Sequence, residues 1–293
     1  MKHFLQDILI TLALGVGMVV LCMPLLKLHA QQADNEHTEK RDYLESHLDD
    51  IAILIAGHSQ SESGTDPWVF DSAYNMAITA RISHYDAELL VKYVPRMPNL
   101  KAVIYPLICE YEPGTVFLKD DWRENNLYNY RFYWGIDEAP MLMDRSNLFQ
   151  HTYETVSRLL SLQSGRRTTD YDSLGFFSLG DNVSDGNNVY DAPGCEPLVT
   201  ESLLKMVKVC NEHGVRLIVV TMPCNSTYRA NHTDCDSRLQ KLMNDIATEY
   251  PAVEYHCYLN DEQFGDSLFS DQTHLNHKGA TAFARRIKQD FDL

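Results

Sequence analysis

Positive charge is scarce in this chain relative to negative. Its 293 residues carry 25 Lys and Arg against 41 Asp and Glu, for a net charge of −16. Nucleic-acid binding draws its affinity from cations set against phosphate, so this balance argues against a nucleic-acid partner and against broad adsorption to anionic lipid. Cysteine pairs of the C-x-x-C kind are also missing. The seven cysteines stand at 22, 109, 195, 210, 224, 235 and 257, which gives a zinc ribbon or a thioredoxin-like redox motif no support. No internal repeat occurs. With 44% hydrophobic and 23% charged residues, the chain is neither disordered, collagenous nor a coiled coil as a whole. A chain of this length buries a core without help from metals or disulfides.

Long apolar runs are confined to one place. Ile8 to Leu26 contains no charged residue and is about long enough to cross a bilayer as a helix. A cleaved signal would have a shorter apolar region and small residues at the cleavage site, whereas Leu28-His29-Ala30 has a large residue where a small one is wanted. A lipoprotein reading at Cys22 meets the same objection at Leu21. Residues 1–30 are therefore expected to be an uncleaved single-pass anchor that makes the membrane a partner, with a cleaved signal segment as the alternative. Lys2 and Lys27 flank the run symmetrically, so charge does not orient it. Because the large domain follows the span, it is expected outside the cytoplasm, in a periplasmic position. Residues 31–49 read as a polar linker whose second half begins a helix.

From residue 50 onward, strand-like and helix-like stretches alternate. Ile51–Ala56 is a short apolar run ending at Gly57, as in a strand buried on both faces. Trp68–Ile78 is a weaker strand, Ser83–Tyr93 has helical spacing, and Lys101–Ile108 is a further strand. Glu196–His213 is an amphipathic helix stopped by Gly214, followed by the strand Val215–Thr221. Cys235–Tyr250, Val253–Tyr258 and His277–Phe291 continue as helix, strand and helix. Such alternation predicts right-handed crossovers and a three-layer α/β/α fold with a mainly parallel sheet over residues 50–293. About 110–190 breaks the rhythm. It is rich in aromatics (128–135) and in Gly, Asn and Asp (180–188), and reads as an insertion over one end of the sheet that packs or shapes a cleft. Its Tyr and Trp would suit stacking on sugar rings. Cys210 and Cys257 read as core residues. Cys224 and Cys235 flank a polar loop, and a bridge between them stays open.

Two places carry chemistry. Gly57-His58-Ser59-Gln60 follows the first buried strand. In an open parallel sheet, ligands bind beyond the carboxyl ends of the strands, so Ser59 is presented where a substrate would sit. Phe269-Ser-Asp271-Gln-Thr-His274-Leu-Asn276-His277-Lys-Gly279 precedes the last helix. An Asp three residues before a His can hold the imidazole from behind and leave its other nitrogen to take a serine proton. Asn276 reads as a helix N-cap.

Together these blocks resemble the SGNH/GDSL hydrolase superfamily, in particular its membrane-anchored bacterial branch with G-x-S-x first and D-x-x-H-L-N last. Tyr74-Asn75-Met76-Ala77, Met97-Pro-Asn-Leu-Lys101 and Thr221-Met-Pro223 agree with it. The resemblance implies a flavodoxin-like fold doing ester chemistry, with Ser59 as nucleophile, His274 as base and Asp271 as orienting carboxylate, and with no metal or cofactor. Oxyanion donors would be the backbone N–H groups of Ser59 and Ala77, helped by Asn75. The third block departs from the family, since Tyr105-Pro106-Leu107-Ile108 stands where an Asn donor is usual. The function implied is an esterase or O-acyltransferase acting on acyl, foremost acetyl, esters of a cell-surface carbohydrate or on a small ester. Loss of the third donor motivates a rival, a catalytically impaired module of the same fold that binds glycan or a protein partner. A metal set of Asp271, His274 and His277 is the least supported, since no further acidic ligand is apparent.

Overall fold

The computed structural model describes residues 4–15, 17, 35–107, 129–131, 133–136, 171–181, 183, 196–250 and 253–293. Among these, five parallel strands form one sheet: β1 (Ile53–Ile55), β2 (Ala73–Asn75), β3 (Ala102–Pro106), β4 (Arg216–Thr221) and β5 (Val253–Cys257), in the order β2-β1-β3-β4-β5. Among the described residues from 35 onward, the helices are α1 (Glu36–Ser46), α2 (Ser59–Gly64), α3 (Ser83–Tyr93), α4 (Glu196–Glu212), α5 (Ser226–Asn231), α6 (Cys235–Glu249) and α7 (His277–Phe291).

Each central strand is apolar on both faces, and the period of two divides its side chains between two cores. Leu54, Val103, Leu217 and Val219 pack with Leu89 and Leu90 of α3, Met206 and Val207 of α4 and Met243 of α6. Ile55, Ile104, Ile218 and Val220 face the other way, onto Phe283, Ala284 and Ile287 of α7. This is the three-layer α/β/α arrangement expected. The weak strand over Trp68–Ile78 shrinks to β2, because a 3-10 turn at Pro67–Val69 takes its first half. Gly214 adopts φ +67°, the left-handed stop after α4.

The N-terminus corrects an expectation. Residues 4–15 are helical, but among the described residues no helix is long and apolar enough to cross a membrane. Residues 4–15 span about 18 Å at 1.5 Å per residue, against a hydrocarbon core of about 30 Å. Apart from residue 17, the rest of the apolar run lies outside the described residues. That finding overturns the single-pass anchor, membrane partnership and periplasmic placement read from the sequence.

The second half of 31–49 is not a free linker. Asn35 caps α1 through a capping box with Thr38, and α1 buries Lys40 and Leu44 against the domain. Most of the insertion at 110–190 is outside the described residues. In its described parts, Tyr130, Tyr133 and Trp134 are buried, so these rings fill the core and offer no surface to a sugar. Cys235 is disulfide-bonded while Cys224 keeps its thiol, so the two do not pair with each other.

Candidate active site

β1 lies between β2 and β3 in the sheet, so the chain reverses its direction of travel across the sheet at β1. The crevice at such a reversal, beyond the carboxyl ends, is where open sheets bind ligands. Gly57 makes the turn out of β1. Its φ is +115°, and a Cβ there would lie 2.4 Å from Pro106 Cγ, so only glycine fits. His58 caps α2, accepting from the Gln60 N–H at 3.4 Å. Burial lowers the His58 pKa to about 3, so the ring stays neutral. Ser59 is thereby the first residue of α2, partly exposed at the carboxyl edge of the sheet.

The second block folds into a tight loop before α7. Phe269 and Leu275 form an isolated antiparallel bridge, and both are buried. Asp271 Oδ1 accepts the backbone N–H groups of Thr273 (2.9 Å) and His274 (2.8 Å). Asn276 caps α7 by accepting from the Gly279 N–H at 3.0 Å. A Cβ on Gly279 would lie 2.2 Å from the Leu268 carbonyl oxygen, which explains the glycine. D-x-x-H-L-N-x-x-G is thus one folded unit, with an anchor, a base, a core residue, a cap and a close approach.

The two blocks meet as the sequence suggests. His274 Nε2 lies 2.9 Å from Ser59 Oγ. His274 Nδ1 lies 3.0 and 2.9 Å from the two Asp271 oxygens. Burial raises the Asp271 pKa, but the His274 hydrogen bond, the histidine's charge and the two backbone N–H groups outweigh it and hold the carboxyl at about 2. An ionised carboxylate only accepts, so the ring proton sits on Nδ1 and leaves Nε2 bare toward the serine. Gln60 adds a brace that sequence reading missed. Its Nε2 donates to the Thr273 carbonyl at 3.1 Å, tying α2 to the histidine loop.

The donors expected for the oxyanion are arranged differently. The Ala77 N–H donates to Asn75 Oδ1 at 3.0 Å. Asn75 is fully buried, and its Nδ2 donates to the carbonyls of Ser61, Glu62 and Thr65, so it braces α2. Three residues beyond Ala77, Ala80 adopts φ +62°, one of three described non-glycine residues in the left-handed region. Its loop runs beside the serine turn. The Ile78 N–H donates to the Gly57 carbonyl at 3.1 Å, and Thr79 Oγ1 donates to Glu62 of α2. Among the described residues no acceptor takes the Ser59 or Ala80 N–H. At the end of β3, the Leu107 N–H goes to the Val220 carbonyl, so that N–H is not offered to the site. Among the described residues, no group of three His, Cys, Asp or Glu side chains is placed to hold a metal ion. His277 is turned instead to Ser178 Oγ, 3.2 Å away.

This geometry defines a class: a parallel α/β chain with a serine–histidine–aspartate relay assembled at its ligand edge. No family model matches the chain, and no curated protein matches it. Among solved structures it is similar to a candidate acylhydrolase from Bacteroides fragilis, at 10% identity over 86% of this chain and 95% of that one, with a TM-score of 0.45. It is also similar to a GDSL-like lipase from Bacteroides thetaiotaomicron, at 11% identity over 88% and 98% of the two chains, with a TM-score of 0.45.

Proposed function

We propose that the chain is a serine esterase or O-acyltransferase of the SGNH/GDSL kind that works through an acyl-enzyme on Ser59. The observation that carries this reading is the unbroken relay from Ser59 Oγ through His274 to Asp271, with every heavy-atom contact at 3.0 Å or less. His274 Nε2 takes the serine proton as Oγ attacks the ester carbonyl. Asp271, ionised far below neutral pH, offsets the imidazolium charge that forms. The oxyanion is received by the N–H groups of Ser59 and Ala80, with Ala80 in place of Ala77. The imidazolium then returns its proton to the departing alcohol. In the second half, His274 takes a proton from water in hydrolysis, or from an acceptor hydroxyl in transfer, that oxygen attacks the acyl carbonyl, and the imidazolium gives its proton to Ser59 Oγ as the acyl–Ser59 bond breaks.

The coarse substrate class is an acyl ester. An acetyl ester of a carbohydrate remains the finer substrate that the motif resemblance implies. The anchor and exposed aromatic surface that favoured it have fallen away.

A fluorophosphonate probe tests nucleophile, base and oxyanion site together. The expected result is a stable adduct on Ser59, found by mass spectrometry and lost in His274→Ala. Folded protein that forms no adduct would favour the rival binding module, which the missing third-block donor supports.

A further inference from the structure

Asp86 sits in the first turn of α3 with its side chain wholly buried. One of its oxygens does two jobs. Oδ1 accepts the Gly57 N–H at 3.2 Å and the Arg81 Nη1–H at 3.1 Å. Gly57 is two residues before Ser59, and Arg81 is the residue after Ala80. A single carboxylate atom therefore joins the backbone that carries the nucleophile to the backbone that carries the left-handed turn. Gly57 makes the return link, its carbonyl accepting from Ile78. Arg81 is itself clamped. Its Nε donates to Tyr130 OH at 2.7 Å, and its guanidinium lies 5.5 and 5.6 Å from the Tyr130 and Trp134 ring centroids.

Stability is a poor reason for this pair. Both side chains are fully buried, and a buried ion pair repays its desolvation only when its remaining atoms are also satisfied. Among the described residues, Arg81 Nη2 and Asp86 Oδ2 have no hydrogen-bond partner. The catalytic site gives a better reason. The described residues of the third block supply no donor, so on the proposed reading stabilisation of the oxyanion rests on two backbone N–H groups among the described residues, and their separation must be held.

We propose that Asp86 is a positioning residue that sets the spacing between the Ser59 and Ala80 N–H groups through its bridge from Gly57 to Arg81. This rests on the serine-esterase reading above. Misplacement by about 1 Å at a reacting centre costs on the order of 100-fold in rate.

The experiment uses the full chain and 4-nitrophenyl acetate, following the acylation phase in single turnover. Three proteins are compared with wild type. Ser59→Ala checks the underlying reading. Arg81→Met with Asp86→Leu removes the bridge without leaving a buried charge alone. Asp86→Glu keeps the charge but displaces the bridging oxygen. In the bridge variants the saturating acylation rate should fall about 10- to 100-fold. The half-saturating ester concentration should stay within about twofold, because ground-state binding does not use the oxyanion site. If Ser59→Ala acylates like wild type, the serine reading fails and takes this proposal with it. If Ser59→Ala is dead but a folded bridge variant acylates within about twofold of wild type, the proposal alone is overturned. Should the double variant fail to fold, Asp86→Glu decides by the same criterion. A parallel change in rate and half-saturation in a folded variant would mean general disorder of the site and would also overturn the proposal.

Discussion

Replacing Asp271 by Asn keeps the shape of the histidine loop and removes its charge. Asn Oδ1 still accepts the Thr273 and His274 N–H groups that Asp271 Oδ1 holds at 2.9 and 2.8 Å. The amide nitrogen then faces His274 Nδ1, now 2.9 Å from a carboxylate oxygen. Nδ1 must accept from that amide, so the ring proton moves to Nε2 and points at Ser59. The base is lost while the relay keeps its distances. A fall in kcat of about 10³- to 10⁴-fold is expected for a wrong tautomer of this kind. Stability changes less. Lowering the Asp271 pKa from 3.8 to about 2 corresponds to roughly 2 kcal/mol in favour of the folded carboxylate. Because the folded pKa is the lower one, this stabilisation is present above pH 3.8 and is lost as pH falls toward 2. Asp271→Asn gives up at most that amount at neutral pH, a melting point about 4–8 °C lower for a domain of this size. Turnover of 4-nitrophenyl acetate at pH 5–8, beside a thermal melt, reads both effects. A folded Asp271→Asn protein that retains kcat within about tenfold of wild type would refute the role given to the carboxylate.

Two further outcomes follow from the serine turn. Gly57→Ala puts a methyl group into Pro106 at a φ of +115°, and should cost about 2–4 kcal/mol, lowering the melting point by several degrees; an unchanged melt would mean the turn can relax. His58 is buried neutral, its pKa lowered from 6.5 to about 3, so unfolding takes up a proton between those values and this group's share of stability is full above pH 6.5 and lost as pH falls to about 3. His58→Asn keeps a capping side chain and should flatten stability against pH across that window by up to one proton, as read from urea unfolding at pH 4 to 7.

The sheet was legible because its physics is local. Continuous apolar runs such as 217–220 and glycine stops such as Gly214 report doubly covered strands and helix ends by residue type alone. The N-terminal run and the aromatic segment misled for a shared reason. Apolar and aromatic residues report burial without saying in what. Ile8 to Leu26 has the composition of a span but no described helix long enough to make one. Tyr130 and Trp134 have the composition of a sugar platform but are buried beside Arg81. Helix α1 was underread because its charges look solvated, although Lys40 is buried, with its Nζ 2.9 Å from the Gly175 carbonyl and 3.9 Å from Glu62. Burial lowers the Lys40 pKa to about 8, a cost that charge patterning does not display.

The site divides along the same line. The meeting of Ser59, His274 and Asp271 was legible because each role proposed for them demands one side-chain chemistry at one place in the chain. A backbone N–H makes no such demand. Ala77 and Ala80 are the same residue type three positions apart, and only the dihedral distinguishes them: the Ala77 N–H is spent on Asn75, while Ala80 takes the left-handed conformation that an L-residue adopts at a cost. Such strain persists only where surrounding structure over-determines it. Here Ile78 is tied to Gly57 on one side of Ala80 and Arg81 to Asp86 on the other. The alanine is held open by its neighbours rather than by its own chemistry, so the chain keeps a glycine-like turn without the glycine. On the proposed reading, the strain at Ala80 and the buried Asp86–Arg81 pair are two parts of one device, and a change that released the pair would let the turn relax and shift the proposed donor relative to the serine.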